Sequence, residues 1–176
     1  MSVHTLFLRV DQAERRVCIF ANAVARRHVV RTLFQTVSRL GDGVFWYALM
    51  AFLPIAFGFD GLLTAAQMLA AGLVGLALYK VLKHTLVRER PFIGLLGIEC
   101  AMPPLDRYSF PSGHTLHAVL FTCIAVTHFP VLALVLVPFT LLIAASRVIL
   151  GLHYPTDVAA GAALGSVLAM MSEWLS

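Results

Sequence analysis

Charged residues are scarce in this chain of 176 residues: they make up 12% of it, whereas hydrophobic residues make up 60%. A soluble domain is typically about a quarter charged, so most of this protein's surface must face something other than water. The mean hydropathy of +0.86 indicates that this surface faces a lipid bilayer. The formal charge of +4 fits an anionic lipid or an anionic substrate, and the hydropathy argues against nucleic acid.

Cysteine is also rare. The three cysteines, Cys18, Cys100 and Cys123, are odd in number and far apart, which indicates neither a disulfide framework nor a metal–thiolate site. The N-terminus lacks a basic region followed by an apolar core and a small-residue cleavage site, so no removable signal peptide is predicted. We therefore expect membrane targeting to reside in spanning helices.

Several apolar runs approach the roughly 20 residues that a spanning helix needs. They cover residues 44–59, 62–82, 113–129, 131–150 and 155–175. The sequence therefore predicts an all-α fold, a polytopic transmembrane helical bundle with about five spanning helices, as one domain over residues 44–176.

The segment 1–43 differs from the rest because arginines alternate with apolar residues at roughly helical spacing. This pattern predicts an N-terminal amphipathic helical segment. Two placements fit it equally well: the headgroup region of the bilayer, or a position packed on the bundle.

The predicted helices bring four helix ends to one membrane face, beside the polar connection 83–112. Ionisable residues at such ends are costly and by default mark a functional site. The polar residues and the glycine on this face that we assign to the site are Lys83, Arg90, Ser112, Gly113, His114, Arg147, His153 and Asp157.

Three cations on this face suit phosphoryl transfer, in which negative charge spreads over the oxygens of the transferred group. Lys83, Arg90 and Arg147 can neutralise that charge, and each arginine can bind two oxygens at once. Ser112 and Gly113 stand at a predicted helix start, where free backbone N–H groups bind anions. Together these residues predict a phosphate site.

Two histidines complete the predicted chemistry. His153 precedes Asp157 by four residues near a helix start, so the carboxylate can accept from one ring nitrogen and leave the other free to attack phosphorus. His114 is the candidate acid that protonates the leaving oxygen. Water would then hydrolyse a phosphohistidine intermediate.

These residues form three ordered motifs. They are Lys83 with Arg90-Pro91 after six intervening residues, then Pro111-Ser112-Gly113-His114, then Ser146-Arg147 followed after five residues by His153 and after three more by Asp157. In order and spacing the motifs resemble the three-part signature of the type 2 phosphatidic acid phosphatase family, which is similar to vanadium haloperoxidases. The resemblance covers roughly residues 40–170.

The resemblance implies a helical, haloperoxidase-like core and dephosphorylation without a metal or other cofactor. It assigns His153 as nucleophile, Asp157 as its partner, His114 as acid, and the remaining predicted residues as phosphate ligands. The expected substrate is a lipid phosphate or diphosphate of the phosphatidic acid, phosphatidylglycerophosphate or undecaprenyl diphosphate class. Two alternatives stay open: a lipid phosphotransferase that uses the same site, and a non-catalytic lipid-phosphate binder.

Two arguments place the site on opposite sides of the membrane. The lysines and arginines of the connections lie on the site's face, and the positive-inside rule would place that face in the cytoplasm. The resemblance implies the outer side, so we expect a multi-pass protein of the inner (plasma) membrane with a periplasmic site, the cytoplasmic side remaining open. Beyond substrate and membrane lipids, we expect no nucleic acid and no obligate protein partner.

Three residues near the motifs have alternative interpretations. His117 follows His114 by three residues, and the two could form half of a metal site. The nearby cations would repel a divalent metal ion, which argues against that interpretation. Glu89 is expected to neutralise its neighbours Arg88 and Arg90. Asp106 could shape the substrate entrance, although an ion pair within the loop is the commoner outcome.

Overall fold

The structure, a computed structural model, describes the backbone of residues 3–175 and the side chains of residue 7 and residues 9–175. The two predicted segments were 1–43 and 44–176, and their terminal residues 1, 2 and 176 lie outside the described residues. Within the described range the chain is helical, without strands, which confirms the predicted all-α class. The helices are α1 (Val3–Val24), α2 (His28–Arg39), α3 (Phe45–Thr85), α4 (Pro91–Gly94), α5 (Gly113–His128), α6 (Ala133–Ile149) and α7 (Pro155–Leu175).

The long helix α3 folds back on itself at Gly58. This glycine has φ 62°, in the left-handed region that a side chain disfavours. A Cβ on Gly61 would lie 2.1 Å from the carbonyl oxygen of Leu53, so the backbones of the two arms touch directly after the turn. The turn falls beside the predicted boundary between the first two apolar runs, and it gives α3 two antiparallel arms, 45–57 and 59–85.

The bundle is built around α5, with α3, α6 and α7 packed against it. Leu116, Leu120 and Ile124 of α5 are fully buried. The outer surface is apolar as well, with Ile55 83% and Leu134 80% exposed. Three helical stretches in the described part of the chain, 28–85, 130–149 and 155–175, are long and apolar enough to cross a membrane. An apolar exterior around an apolar core is the arrangement of a membrane protein.

Helices α5 and α7 make the most extensive contact in the bundle, and two glycines permit it. A Cβ on Gly161 would lie 2.5 Å from the carbonyl oxygen of Ser112, and one on Gly165 would lie 2.4 Å from that of Leu116. Small residues allow such close backbone approach between membrane helices. As a result, the start of α7 lies directly beside the start of α5.

The N-terminal helices pack on the bundle at the same end. Helix α2 lies on α6, and α1 lies on α6 and α7. The side chain of Asn22 in α1 donates to the carbonyl oxygens of Glu99 and Ile149 and accepts from the Glu99 N–H. These bonds attach α1 to the loop before α5 and to the end of α6. The outer faces of both helices mix apolar and basic residues, with Phe20 77% and Val29 80% exposed beside exposed arginines such as Arg16 and Arg39.

Candidate active site

The structure brings the eight predicted site residues to one end of the bundle. Lys83 lies near the end of α3, Arg90 precedes α4, Ser112 to His114 begin α5, Arg147 lies in the last turn of α6, and His153 and Asp157 flank the start of α7. The three cations and the predicted nucleophile are buried: Lys83 is 6% exposed, and Arg90, Arg147 and His153 are each 2% exposed. Burying several cations together is costly unless anions compensate them.

The turn between α6 and α7 sets the position of His153 relative to Arg147. The backbone N–H groups of Leu152 and His153 both donate to the Arg147 carbonyl oxygen at 3.0 Å. Gly151 makes the turn with φ 75°, and a Cβ there would lie 2.6 Å from the Glu99 carbonyl oxygen. The six-residue step from Arg147 to His153 therefore corresponds to a closed backbone turn.

Asp157 lies in the first turn of α7 and reaches back toward His153. Its Oδ2 accepts from the backbone N–H of Tyr154 at 2.9 Å, as an acidic residue does in a capping box. The same oxygen lies 3.5 Å from Nδ1 of His153, which is a contact slightly longer than a hydrogen bond. The predicted pairing of His153 with Asp157 is therefore present as a close approach.

The opposite nitrogen of His153 faces the cations, since Nε2 lies 3.4 Å from a terminal nitrogen of Arg90. Burial, together with the positive charges of Arg147, Arg90 and Lys83, lowers the pKa of His153 well below its ordinary value of 6.5. The imidazole is therefore neutral at pH 7, which leaves a ring nitrogen with a lone pair beside three positive charges.

Arg147 lies between α2 and the histidines. It donates to Ser38 Oγ of α2 through one terminal nitrogen. Its Nε is buried and has no hydrogen-bond partner among the described residues. A buried donor without a partner is costly, so this N–H is available to an anionic ligand.

His114 has a carboxylate neighbour that the sequence analysis missed. Asp42, in the π-helical turn Leu40–Val44 between α2 and α3, contacts His114 Nε2. Gly43 beside it has φ 138°, which a residue with a side chain rarely adopts. Asp42 orients the ring of the candidate acid. The only sequence signal was an aspartate between two glycines, and its proximity to His114 depends on packing between distant segments.

Asp106 lies among the predicted phosphate ligands. Its carboxylate is 2.6 Å from Lys83 Nζ and 2.7 Å from a terminal nitrogen of Arg90, and it accepts from the hydroxyl of Tyr79. Burial opposes its ionisation, but the hydrogen bonds from Lys83 and Tyr79 and the charges of Lys83 and Arg90 outweigh burial and lower the pKa of Asp106 below 3.8. The ion pair expected for Asp106 therefore forms, with site cations as its partners. The predicted phosphate ligands include three cations, and Asp106 supplies one negative charge among them. The group therefore keeps an excess of positive charge.

Ser112 and Gly113 take part in the site differently from the simple expectation. The Ser112 N–H, predicted to face the phosphate, donates to the Asp157 carbonyl oxygen at 3.0 Å, while the Ser112 side chain caps α5 by accepting from Thr115 N–H. A Cβ on Gly113 would lie 2.7 Å from the ring of Tyr79. The glycine therefore makes room for Tyr79 as well as for an approaching ligand.

An apolar cavity of about 260 Å³ leads toward His114 from between the two arms of α3 and α5. Its walls include Met50, Leu69, Leu73 and Phe121, and its inner end includes Asp42, Tyr79 and His114. Apolar walls with a few polar groups at one end are typical of sites that bind amphipathic small molecules.

Comparisons with a family pattern, with curated sequences and with solved structures relate the chain to known proteins. The PAP2 superfamily pattern matches residues 61–175. The chain is 38% identical over 102 residues to the decaprenylphosphoryl-5-phosphoribose phosphatase of Mycobacterium tuberculosis, covering 56% of this chain and 54% of the relative. It is 34% identical over 147 residues to phosphatidylglycerophosphatase B of Bacillus subtilis, covering 77% of this chain and 64% of the relative. The chain thus spans between about half and two thirds of these curated relatives.

Solved structures agree over a longer stretch. LpxE of Aquifex aeolicus superposes with a TM-score of 0.78 at 26% identity, over 90% of this chain and 93% of that chain. The PAP2-type phosphatidylglycerolphosphate phosphatase of Bacillus subtilis superposes with a TM-score of 0.73 at 26% identity, over 98% of this chain and 93% of that chain. With all three motifs gathered at one end of the same fold, this chain belongs to the PAP2 superfamily.

Proposed function

We propose that this membrane protein is a phosphatase that removes a phosphate from a lipid phosphate or polyprenyl diphosphate through a phosphohistidine intermediate on His153. The observation that carries the proposal is the position of His153, whose neutral imidazole directs Nε2 toward buried cations. Relatives and solved neighbours whose names denote phosphatases support the same reaction class.

The proposed reaction has two steps. In the first, Nε2 of His153 attacks phosphorus, the bond from phosphorus to the lipid oxygen breaks, and His114 donates its proton to that oxygen. In the second, His114 takes a proton from water as the water oxygen attacks the phosphohistidine, which releases inorganic phosphate and restores His153. Lys83, Arg90 and Arg147 stabilise the charge on the phosphoryl oxygens in both steps.

The apolar cavity supports a lipid as the substrate. Its walls suit a hydrocarbon chain, and its polar end at His114 is where the leaving oxygen of the substrate would lie. We expect the lipid to enter from the bilayer between the arms of α3, with its phosphate directed toward Arg147 and His153. Phosphatidic acid, phosphatidylglycerophosphate and polyprenyl diphosphates all fit this arrangement of an apolar chain and a terminal phosphate.

We also propose that the protein resides in the inner (plasma) membrane with its site on the periplasmic side. Several basic residues of this face are enclosed by protein, which weakens the opposing charge argument. Arg88 and Arg90 are each 2% exposed and are paired with carboxylates. The exposed arginines of α1 and α2 remain on this face, so the orientation needs a direct test.

Phosphate release from purified protein in mixed micelles tests the proposed reaction. The assay compares phosphatidic acid, phosphatidylglycerophosphate and a polyprenyl diphosphate, each with a metal chelator. We expect release from at least one substrate by the wild type, release that persists in the chelator, and none by His153→Ala.

His84→Ala is the matched control, because His84 is an exposed histidine on α3 beside Lys83. It should retain wild-type turnover. Release that stops in the chelator, or that persists in His153→Ala, would contradict the mechanism. Transfer of the phosphate to a lipid alcohol instead of water would identify a phosphotransferase.

A further inference from the structure

Arg88 is the most completely paired cation near the site, and the phosphate chemistry does not use it. Nε and one terminal nitrogen donate to Asp11 Oδ1 of α1, at 2.9 and 2.6 Å. That terminal nitrogen also donates to Glu14 of α1 at 3.0 Å. The other terminal nitrogen donates to Asp157 Oδ1 at 2.5 Å and to Thr156 Oγ1 at 2.8 Å. The guanidinium therefore joins α1 to the first turn of α7.

Glu14 strengthens this connection by a direct bond to α7. Its carboxylate accepts from the Thr156 backbone N–H at 2.7 Å and from the Thr156 hydroxyl at 2.8 Å. The Thr156 N–H is one of the first N–H groups of α7, which have no partner within the helix. A glutamate of α1 thus caps the helix that carries Asp157.

The network is buried and rigid at its centre. Arg88 is 2% exposed, and its guanidinium lies 4.0 Å from the centre of the Tyr154 ring. The Arg88 carbonyl oxygen also accepts from Ser109 N–H at 2.9 Å, which fixes the segment just before α5. Arg88 therefore has little freedom to turn from Asp157 toward the phosphate ligands.

We propose that Arg88 is a positioning residue for Asp157 and His153, and that Asp11 and Glu14 of α1 hold Arg88 in place. The proposal rests on the proposed function, because it concerns the same nucleophile. Asp157 uses one carboxylate oxygen for Arg88 and presents the other to Tyr154 N–H and His153 Nδ1. Without Arg88, the carboxylate would lose the partner that fixes its rotation.

This arrangement makes α1 part of the catalytic unit. A change in Arg88 should affect turnover, since the imidazole loses its alignment. Substrate binding should change little, because none of the hydrogen bonds and ion pairs that Arg88 makes with the described residues involves Lys83, Arg90 or Arg147. A residue that acted only on overall folding would instead lower the Tm, and its loss of kcat would match the loss of folded protein, with wild-type kcat for each molecule that remains folded.

The experiment measures kcat and KM for Arg88→Met, Arg88→Lys and the double variant Asp11→Asn/Glu14→Gln, using the best lipid substrate of the wild type. We expect kcat to fall about 100-fold in Arg88→Met, the scale of a misaligned catalytic group, with KM within about threefold. Arg88→Lys should recover part of kcat. The double variant should lose about tenfold in kcat, again with little change in KM.

Arg107→Met is the matched control, because Arg107 is an exposed arginine of the same loop. It should keep wild-type kinetics. Thermal unfolding in detergent and inhibition by vanadate, a phosphate analogue, report on folding and on the anion site. Inhibition by vanadate should remain near wild type in the double variant, whose Tm should fall only in part because Arg88 keeps Asp157 as a partner. Kinetics measured below that Tm keep the proposal testable if Arg88→Met fails to fold.

The proposal is wrong if the double variant keeps wild-type kcat, or if KM rises in proportion to the loss of kcat. An inactive wild type would contradict the proposed function instead, so the two failures are distinguishable.

Discussion

His153 is buried beside several cations, and it is also the proposed nucleophile. Burial is the main cause that disfavours the imidazolium, and the positive charges of Arg147, Arg90 and Lys83, which would bind phosphate, add to it and keep the ring unprotonated. An arriving phosphate would offset that charge while the nucleophile is already in its reactive form. In the proposed mechanism the pocket would therefore bind phosphate and keep the nucleophile unprotonated at the same time.

The lowered pKa of His153 has a consequence for the pH profile of kcat/KM, which reports on the free enzyme. Protonation of an ordinary histidine would reduce activity below about pH 6.5. Because the pKa of His153 is lower, its neutral fraction stays near one as the pH falls from about 7 to about 6. We expect kcat/KM, corrected for the separately measured ionisation of the substrate phosphate, not to decline over this range, since a falling pH also favours the protonated His114 that the first step needs. A corrected decline centred near pH 6.5 would show that His153 titrates normally.

Arg147→Lys tests whether the shape of the guanidinium matters as well as its charge. A lysine ammonium is a compact charge without the planar fork, so it presents no two parallel donors to phosphoryl oxygens while it binds Ser38, and we expect kcat/KM to fall about 100-fold, the scale of losing one preorganised donor. Phosphate release in micelles measures the loss. Arg39→Lys, on the exposed side of α2, is the control and should be neutral. Near wild-type kinetics in Arg147→Lys would remove Arg147 from the phosphate ligands.

In the proposed mechanism Asp106 would compete with phosphate for Lys83 and Arg90, because its carboxylate contacts both. Asp106→Asn should therefore strengthen inhibition by inorganic phosphate, lowering its inhibition constant by about tenfold, which corresponds to about 1.4 kcal/mol. Steady-state inhibition measures this constant. Asp60→Asn removes the same charge from an exposed position near the turn of α3, and it should leave the constant unchanged. Weaker inhibition in Asp106→Asn would mean that the carboxylate supports the binding pocket.

The site residues that could be predicted from the sequence lie in motifs with short internal spacing. Arg147 and His153 are joined by one turn, and Asp157 follows His153 by one helical turn, so local spacing fixes their arrangement. Asp42 and Arg88 could not be assigned in this way. Their partners His114 and Asp157 are distant in sequence, and only packing brings each pair together.

Helix α5 carries His114, and α7 begins two residues after His153, so the spacing of α5 and α7 would set the distance between the two histidines of the proposed mechanism. In Gly165→Ala the added Cβ would meet the Leu116 carbonyl oxygen at 2.4 Å, and backbone cannot move aside as a side chain can. We expect α7 to shift, with a stability loss of about 1–3 kcal/mol. A lower Tm in detergent and a lower kcat would report the shift.

Ala163→Val is the control for this substitution, because it adds volume to an exposed position of the same helix. It should change neither Tm nor kcat. A Gly165→Ala variant with wild-type Tm and kcat would show that α5 and α7 have more freedom than their contact indicates.

The apolar runs predicted where the helices lie in the chain better than they predicted how the helices pack. The first two runs meet at the turn of α3 near Gly58, and α7 has the predicted bounds of 155–175. For the segment 1–43, amphipathic spacing left open both the headgroup region and the bundle. The position of α1 depends on particular pairs, such as Asn22 with Glu99, which no periodic pattern encodes.

At the scale of the whole molecule, the native cysteines offer a test of membrane orientation. Cys100 is exposed in the loop over the site, whereas Cys18 is buried and Cys123 is partly buried in the bundle. If the site is periplasmic, a membrane-impermeant maleimide should label Cys100 in spheroplasts without permeabilisation. Cys100→Ser should abolish that labelling. Labelling that requires permeabilised membranes would place the site in the cytoplasm.

The covalent intermediate is the central claim, and trapping it is the most direct test. Purified protein would be mixed with a lipid phosphate labelled with ³²P at its terminal phosphate, denatured within the first turnovers, and assayed for bound label. We predict bound phosphate that survives alkali but not acid, as a phosphohistidine does, located on the peptide that contains His153 and absent from His153→Ala. Rapid turnover without bound label, or label that persists in His153→Ala, would contradict the claim.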